Sequence, residues 1–344
     1  MFRPQFRITK GLNLLASSDN FAPPLETPVA FIIFNRPEST SRVFSAIAKA
    51  KPKKLLIISD GPRQSRAGEE KLVEECRRIA LSVDWDCEVL TNFSESNLGC
   101  RDRVSTGLDW VFSQVGEAII LEDDCWPSED FFRFTSELLE RFRNDERIGS
   151  ISGTWEEGLG APSHSYHFSQ FPRIWGWATW ARVWRKYDVS IRQWPELKKA
   201  EFLRTKLRSK KSRRFWRQIL DDVYLGKIDT WDYQLTLLHW SEKLVSVIPS
   251  KNLVSNIGFG PDATHTLNPH SALANAETRA LGSLIDHPTN VFRNEAIDDL
   301  YEILRFSKPI TLLWLNRIYN SMPSLFQLIV KTVYQGIRRV GPLK

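Results

Sequence analysis

One short stretch of this sequence joins a strand-like apolar run to a cluster of acids, and it constrains the fold more than any other feature. The run Ala118 to Leu121 is followed at once by the carboxylates Glu122, Asp123 and Asp124. A continuous apolar run of this length is typical of a buried strand in an α/β sheet. Open α/β sheets bind ligands beyond the carboxyl ends of their strands. We therefore expect the acids in a ligand-binding crevice, where such oxygen ligands suit Mg²⁺ or Mn²⁺.

The same acids have a second interpretation, in which they only form a solvated turn before the next helix. Pro127 and Ser128 are suited to begin that helix. Acidic residues near a helix N-terminus are also favoured by the helix dipole. Taken alone, the triplet leaves both interpretations open.

Apolar strand-like runs alternate with helix-like segments along the first half of the chain. The predicted strands are 29–34, 55–59, 87–90, 118–121 and 148–152, and the predicted helices run to residue 50 and over 69–82, 101–115 and 131–142. This order predicts an α/β fold with a doubly wound, mostly parallel sheet.

The cysteine pattern and the lack of long apolar stretches limit the classes of protein to which this chain can belong. The four cysteines include no Cys-x-x-Cys pair and no secretory signal precedes them, so we expect neither a disulfide framework nor a zinc site. We expect a cytoplasmic protein whose residues 1–26 form a flexible leader. No stretch reaches the ~18 uninterrupted apolar residues of a membrane-spanning helix.

The net charge of +6 is concentrated in two basic stretches. We expect the first, residues 198–217, to dock on the body of the protein. The second, residues 307–344, contains no acid and looks amphipathic, so it is either a docked helix or a peripheral contact with an anionic membrane. We expect no nucleic-acid partner, because no RNA- or DNA-binding module is recognisable.

Polar residues follow each of the first four predicted strands and therefore meet at one edge of the sheet. They are Asn35 and Arg36, Asp60 and Gly61, Asn97 with Arg101 or Arg103, and the acids at 122–124. In their order and spacing the sequence resembles the GT-A fold glycosyltransferases of the family-2-like inverting type. The Glu-Asp-Asp triplet is similar to that of the N-acetylglucosaminyltransferase I type.

This resemblance implies a site for a nucleoside-diphosphate sugar. Phe34, Asn35 and Arg36 resemble the segment that touches the base and ribose. Asp60 resembles the residue that reads the base, although it also suits a β-turn before Gly61. Arg103 resembles an arginine that pairs with the nucleotide, with Arg101 as the alternative and a solvated helix arginine as the simpler interpretation.

The resemblance also implies a metal site. Asp124 resembles the direct ligand of Mn²⁺ or Mg²⁺, Asp123 would lie by the ribose or a metal-bound water, and Glu122 would support them. His265 ends the glycine-rich loop 256–266 and resembles a histidine on the metal or the diphosphate. Gly258 and Gly260 would let this loop close over the donor.

Asp232 lies about a hundred residues after the triplet, at the interval where the resembling enzymes carry their catalytic carboxylate. Its simpler interpretation is an N-cap for a helix over 233–241. Asp221 and Asp222 are competing candidates for the base.

Tryptophans cluster between these motifs, in the segment 171–184. Flat aromatic faces stack on sugar rings and a glycine allows close approach, so we expect Trp175, Gly176 and Trp177 to line a donor-sugar or acceptor pocket. We expect Trp180 and Trp184 to pack inward on helical spacing.

The resemblance divides the chain into the leader, a GT-A domain over 27–270 and a helical, basic, amphipathic extension over 271–344. Within the domain, residues 27–155 would bind the nucleotide and residues 156–270 the acceptor. The implied activity is metal-dependent, inverting transfer of a sugar from a UDP-linked donor to an acceptor hydroxyl of a glycan or lipid-linked glycan, as in bacterial surface-polysaccharide synthesis. The alternatives are a sugar nucleotidyltransferase and a non-catalytic carbohydrate-binding protein.

Overall fold

The central element of the protein is a sheet of nine strands. The computed structural model describes residues 24–160, 162–259 and 275–307, and it describes residues 6–8 through their backbone. The strands are β1 (Phe6–Ile8), β2 (Val29–Ile33), β3 (Lys54–Ser59), β4 (Cys87–Phe93), β5 (Glu117–Glu122), β6 (Cys125–Pro127), β7 (Ile148–Ser152), β8 (Tyr166–Ser169), β9 (Trp177–Trp180), β10 (Val245–Pro249) and β11 (Val254–Asn256). The helices are α1 (Pro37–Ala50), α2 (Glu69–Ala80), α3 (Gly99–Gln114), α4 (Glu129–Arg141), α5 (Ala181–Trp184), α6 (Trp194–Lys199), α7 (Leu203–Lys206), α8 (Lys210–Tyr224), α9 (Asp232–Ser241) and α10 (Glu295–Phe306).

The strands of this sheet lie in the order β1-β4-β3-β2-β5-β9-β7-β10-β8. Their pairings make β4, β3, β2, β5, β7 and β10 run in one direction, while β1, β9 and β8 run in the other. Helices α1, α2 and α3 join β2 to β5, as expected for crossovers between parallel strands. The predicted α/β class with a doubly wound, mostly parallel sheet is confirmed.

The parallel strands are apolar because both of their faces are covered. All five residues of β2 are buried, as are the last five of β3. Burying each such Val, Leu or Ile side chain contributes about 1.5–3 kcal/mol. Helices α1 and α2 pack together, and α3 packs against α5. The winding reverses between β2 and β5, and the carboxyl ends of these two strands form the crevice where such sheets bind ligands.

A small second sheet of two strands lies beside that crevice. Strands β6 and β11 pair antiparallel, which places Asn256 opposite Cys125. The backbone N–H of Ile257 donates to the carbonyl of Asp124 over 2.8 Å. The segment after β11 is thereby held beside the acidic triplet.

The second half of the chain builds an aromatic cluster beside the sheet. Trp194, Trp216 and Trp240 are buried in it, on α6, α8 and α9, and Tyr301 and Phe306 of α10 pack against it. Because Trp216 of α8 points into this cluster, the central basic stretch docks on the body through its apolar face, as predicted.

Two segments differ from the sequence-based expectation. Residues 6–8, inside the predicted flexible leader, form an edge strand antiparallel to β4. In the described part of the extension, α10 carries four acids and only Arg305 as a cation, so it is not basic. The basic tail from residue 308 onward lies outside the described residues. No helix in the described ranges is long and apolar enough to cross a membrane.

Candidate active site

The acidic triplet lies at the carboxyl end of β5, opposite the segment that leaves β2. Arg36 precedes α1 and forms ion pairs with both Asp123 and Asp124, the latter over 2.8 Å. The backbone N–H of Phe34 donates to the Asp123 carboxylate over 3.1 Å. The two strand ends are therefore joined by charge-assisted hydrogen bonds across the crevice.

This site contains more carboxylates than cations. The excess of negative charge affects the pKa values of its residues. Burial raises the pKa of Glu122 to about 8, and repulsion from Asp124 and Asp123 adds to this effect. Burial also raises the pKa of Asp123, although Arg36 opposes the change. Burial alone would lower the pKa of Arg36, but attraction to both aspartates holds it above its ordinary value. One arginine does not compensate the acids, so the site favours an additional positive charge.

Asp232 faces the same cavity as these acids. This first cavity has a volume of about 480 Å³, and its wall includes Arg36, Glu122, Asp124, Trp175 and Asp232. A second cavity, of about 430 Å³, shares four lining residues with the first, namely Ile174, Trp175, Asp232 and Tyr233. These four residues therefore lie where the two cavities adjoin.

The segment that carries Asp232 is anchored to the start of α3. The carboxylate of Asp229 accepts hydrogen bonds from the backbone N–H groups of Cys100 and Arg101, over 3.0 and 2.8 Å. The hydroxyl of Thr230 donates to the carboxylate of Asp232. Helix α9 begins at Asp232 itself, and no side chain caps it. The N-cap interpretation of Asp232 is therefore wrong.

The competing acids do not reach either cavity. Asp221 accepts hydrogen bonds from Trp194 and from Lys198, at 2.9 and 2.8 Å. Asp222 is buried, 3% exposed, on the inner side of α8. Neither belongs to the lining of the two cavities that contain Asp232.

Asp60 holds the segment 97–99, which leads into α3, against the end of β3. Its carboxylate accepts hydrogen bonds from the backbone N–H groups of Gly61, Leu98 and Gly99 and from the side chain of Asn97, over 2.9–3.2 Å. The β-turn expected at Asp60 is therefore wrong, because residues 60–63 form no turn and most of these hydrogen bonds come from residues 97–99. The contact of Asp60 with a nucleotide base stays a prediction.

The other residues expected at the nucleotide occupy different environments. Arg103 is 6% exposed, on the buried side of α3, and donates to the backbone carbonyl of Asn92 over 2.7 Å. Burial also lowers its pKa. This placement argues against the predicted contact with the nucleotide. Arg101 pairs with Asp102, and the side chain of Asn35 donates to Glu69 over 2.8 Å.

Only one residue of the Trp175–Trp177 segment lines a cavity. Trp177 is 1% exposed and stacks on Trp231 in the core, because β9 pairs with β5 and directs it inward. A Cβ atom on Gly176 would lie 2.6 Å from Val254, so this glycine serves internal packing. The predicted pocket positions of Gly176 and Trp177 are wrong. Trp180 and Trp184 are buried as expected, but in β9 and α5 rather than on one helix.

The glycine-rich segment approaches the triplet at Gly258. A Cβ atom there would lie 2.2 Å from the Asp124 carboxylate, so only glycine fits against this acid. Gly260 and His265 lie outside the described residues, and their predicted roles stay untested.

The side chains of this site fit a hard divalent cation in their chemistry. Glu122 and Asp124 face one cavity, and Mg²⁺ commonly takes one or two protein carboxylates and completes its shell with water and phosphate. Across the described ranges, no group of three or more His, Cys, Asp or Glu side chains forms a metal-ligand set. A cation here would therefore depend on ligands beyond those side chains.

Sequence reasoning missed two contributors to the site. It assigned Arg36 to the nucleotide and overlooked its pairing with the triplet, although an arginine at a neighbouring strand end was a usable signal. It also passed over Asp229, three residues before Asp232. A second acid so close to a proposed catalytic acid could have indicated that Asp229 contributes to the site.

No model of a protein family matches the sequence, and no curated protein matches it. Three solved structures illustrate the structural matches. A UDP-glucose pyrophosphorylase complexed with UDP-glucose is 8% identical with a TM-score of 0.34, over 65% of this chain and 90% of that one. A mannosyltransferase from Pyrobaculum calidifontis in complex with GDP-Man and Mn²⁺ is 16% identical with a TM-score of 0.32, over 46% and 47%. A cytidylyltransferase from Leptospira borgpetersenii is 12% identical with a TM-score of 0.28, over 50% and 67%.

At these identities and TM-scores the matches carry no argument about activity. Their proteins include both glycosyltransferases and nucleotidyltransferases, and the choice between these reactions must rest on the side chains of this site.

Proposed function

We propose that this protein is a metal-dependent glycosyltransferase of the GT-A type. It would transfer a sugar from a nucleoside-diphosphate donor to an acceptor hydroxyl. The donor that we propose is a UDP-sugar. Asp232 would act as the general base, and the stereochemistry would be inverting. A cytoplasmic location, and a glycan or lipid-linked glycan as acceptor, belong to the same proposal.

The position of Asp232 between two cavities supports the proposal most strongly. Sugar transfer requires a donor and an acceptor to meet at one base. The first cavity contains the acids suited to a cation and a diphosphate, and six of the fourteen residues that line the second are aromatic. Asp232 belongs to the walls of both, which supports a role in accepting a proton from a hydroxyl that enters from the second.

Glu122 and Asp124 would hold the cation, and Arg36 would stay beside them. The cation would neutralise the charge that develops on the departing nucleoside diphosphate. Arg36 is then available for a phosphate oxygen, because its partner Asp124 would also serve the metal. Trp175 faces both cavities and offers a flat surface for a sugar ring.

A nucleotidyltransferase is less well supported by the segment after β2. Such enzymes need a loop of backbone N–H groups around a nucleoside triphosphate. Here Pro37 begins α1 and has no backbone N–H group to donate to a phosphate.

The experiment measures nucleotide release from a panel of UDP- and GDP-sugars with Mn²⁺, for the wild type and for Asp232→Asn. We expect the variant to bind UDP normally and to lose about 100- to 10,000-fold in rate. Asp221→Asn is the matched control and should keep the wild-type rate. Unchanged release by Asp232→Asn, or pyrophosphate formation from a nucleoside triphosphate and a sugar phosphate, would contradict the proposal.

A further inference from the structure

The second cavity combines aromatic rings with a buried cation. Trp175, Tyr233, Tyr301 and Phe306 contribute rings to its wall, which suits the C–H faces of a sugar. Arg173 also lines it and is only 6% exposed. A guanidinium at such depth is costly unless an anion or several acceptors compensate it.

Arg173 has few such partners within the described part of the chain. One of its Nη atoms donates to the carbonyl of Thr154 over 3.1 Å, and its Nε has no hydrogen-bond partner. Its guanidinium carbon lies 4.7 Å from the ring centre of Tyr301 and 5.7 Å from that of Trp155. Its guanidinium also interacts with the Tyr301 side chain. None of the ion pairs between described residues includes Arg173, so no described carboxylate pairs directly with its charge.

The acids around Arg173 are already engaged. Glu156 lines the same cavity but pairs with Arg305 at 2.6 Å. Asp298 lies within electrostatic range, yet it accepts a hydrogen bond from the backbone N–H of Gln170 and pairs with Arg293 at 3.3 Å. The charges left along the wall are therefore Arg173 and Asp232.

We propose, on the basis of the function proposed above, that the second cavity is the acceptor subsite and selects a glycan ring bearing a carboxylate or a phosphate. The anion would bind Arg173, while a hydroxyl of the same acceptor faces Asp232. Planar guanidinium suits both kinds of anion. Arg173 is then a specificity-determining residue.

The test is calorimetric binding to the full chain saturated with UDP and Mn²⁺. The probes are the methyl glycosides of glucose, galactose and mannose, each as the neutral sugar, the uronate and the 6-phosphate. In at least one series we expect an anionic form to bind about tenfold more tightly than its neutral parent. The uronate and phosphate arms distinguish the two sources of the anion.

Two variants of Arg173 and a matched control variant test whether the preference for an anion depends on this residue. Arg173→Gln should remove the preference for the anion, and Arg173→Lys should retain part of it. Arg305→Gln removes a cation of the same cavity that Glu156 already neutralises, so it should change the preference by less than about threefold. UDP binding by each variant verifies its fold.

Equal binding of neutral and anionic sugars in every series would overturn the proposal, as would equal losses for Arg173→Gln and Arg305→Gln. The proposed function can fail separately. If UDP does not bind but an anionic glycoside binds through Arg173, the donor assignment is wrong and the subsite stands. If UDP binds with Mn²⁺ and no anionic glycoside binds, the donor site stands and the acceptor proposal is wrong.

Discussion

Two carboxylate sites lie at the same edge of the sheet, and they differ in how well the surrounding protein satisfies them. Asp60, after β3, receives hydrogen bonds from three backbone N–H groups and from Asn97. The triplet after β5 shares one arginine, and burial with mutual repulsion raises the pKa of Glu122 to about 8. An acid at a strand end is the same sequence signal in both cases. The number of donors distinguishes an acid that holds the fold together from the acids that we propose bind a metal ion.

The largest effect on stability is expected from removing the satisfied acid. Asp60→Ala leaves three backbone N–H groups without their acceptor, so we expect a loss of about 2–4 kcal/mol in the free energy of unfolding. Urea denaturation measures it. Asp60→Asn keeps one acceptor oxygen and should lose less. If Asp60→Ala unfolds at the wild-type midpoint, the distinction between the two sites fails.

Replacing an acid of the triplet should instead increase the stability of the protein. Because the pKa of Glu122 is raised above its value in the unfolded chain, the folded state holds this proton more tightly. The stability it contributes is present below the unfolded pKa and is lost as the pH rises toward 8. We therefore expect Glu122→Gln to be more stable than the wild type at pH 8. Because the cavity is open to solvent, which reduces the effect, the expected gain is only about 1–2 kcal/mol.

The measurement for Glu122→Gln is urea denaturation in EDTA from pH 5 to pH 9. The advantage of the variant should vanish near pH 5. A constant difference across this range would show that the pKa of Glu122 is not raised.

The smallest effect is expected at Asp221, an acid satisfied at the surface. Asp221→Asn weakens the contact with Lys198 but leaves an oxygen for Trp194, so the free energy of unfolding should fall by less than about 1 kcal/mol. Nucleotide release should not change. A loss of activity comparable to that of Asp232→Asn would place the catalytic acid on α8 instead.

The parallel strands were the most predictable part of the fold. Strands buried on both faces are continuous apolar runs, and β7 was predicted with its observed bounds of 148–152. The later antiparallel strands were not predicted, because β8, β9 and β11 have four residues or fewer, which is too short for a clear periodic pattern. Their positions depend on pairing with distant strands.

The same limit applies to the site. The acids at 122–124 could be singled out because they follow an apolar run, and Asp232 could be singled out only through its distance from them in the resembling enzymes. The inward position of Trp177 depends on the pairing of β9 with β5, and the role of Arg36 depends on contacts with residues almost ninety positions away. Such contacts leave no local pattern in the sequence.

The central claim is that the unsatisfied triplet forms a metal-dependent nucleotide site. Calorimetric titration of UDP into the protein with Mn²⁺ and with EDTA, repeated on Asp124→Ala, tests it directly. We expect binding in Mn²⁺ that EDTA abolishes, and a loss of about 100-fold in affinity for Asp124→Ala. Binding that is equal in Mn²⁺ and EDTA, or unaffected by Asp124→Ala, would contradict the claim.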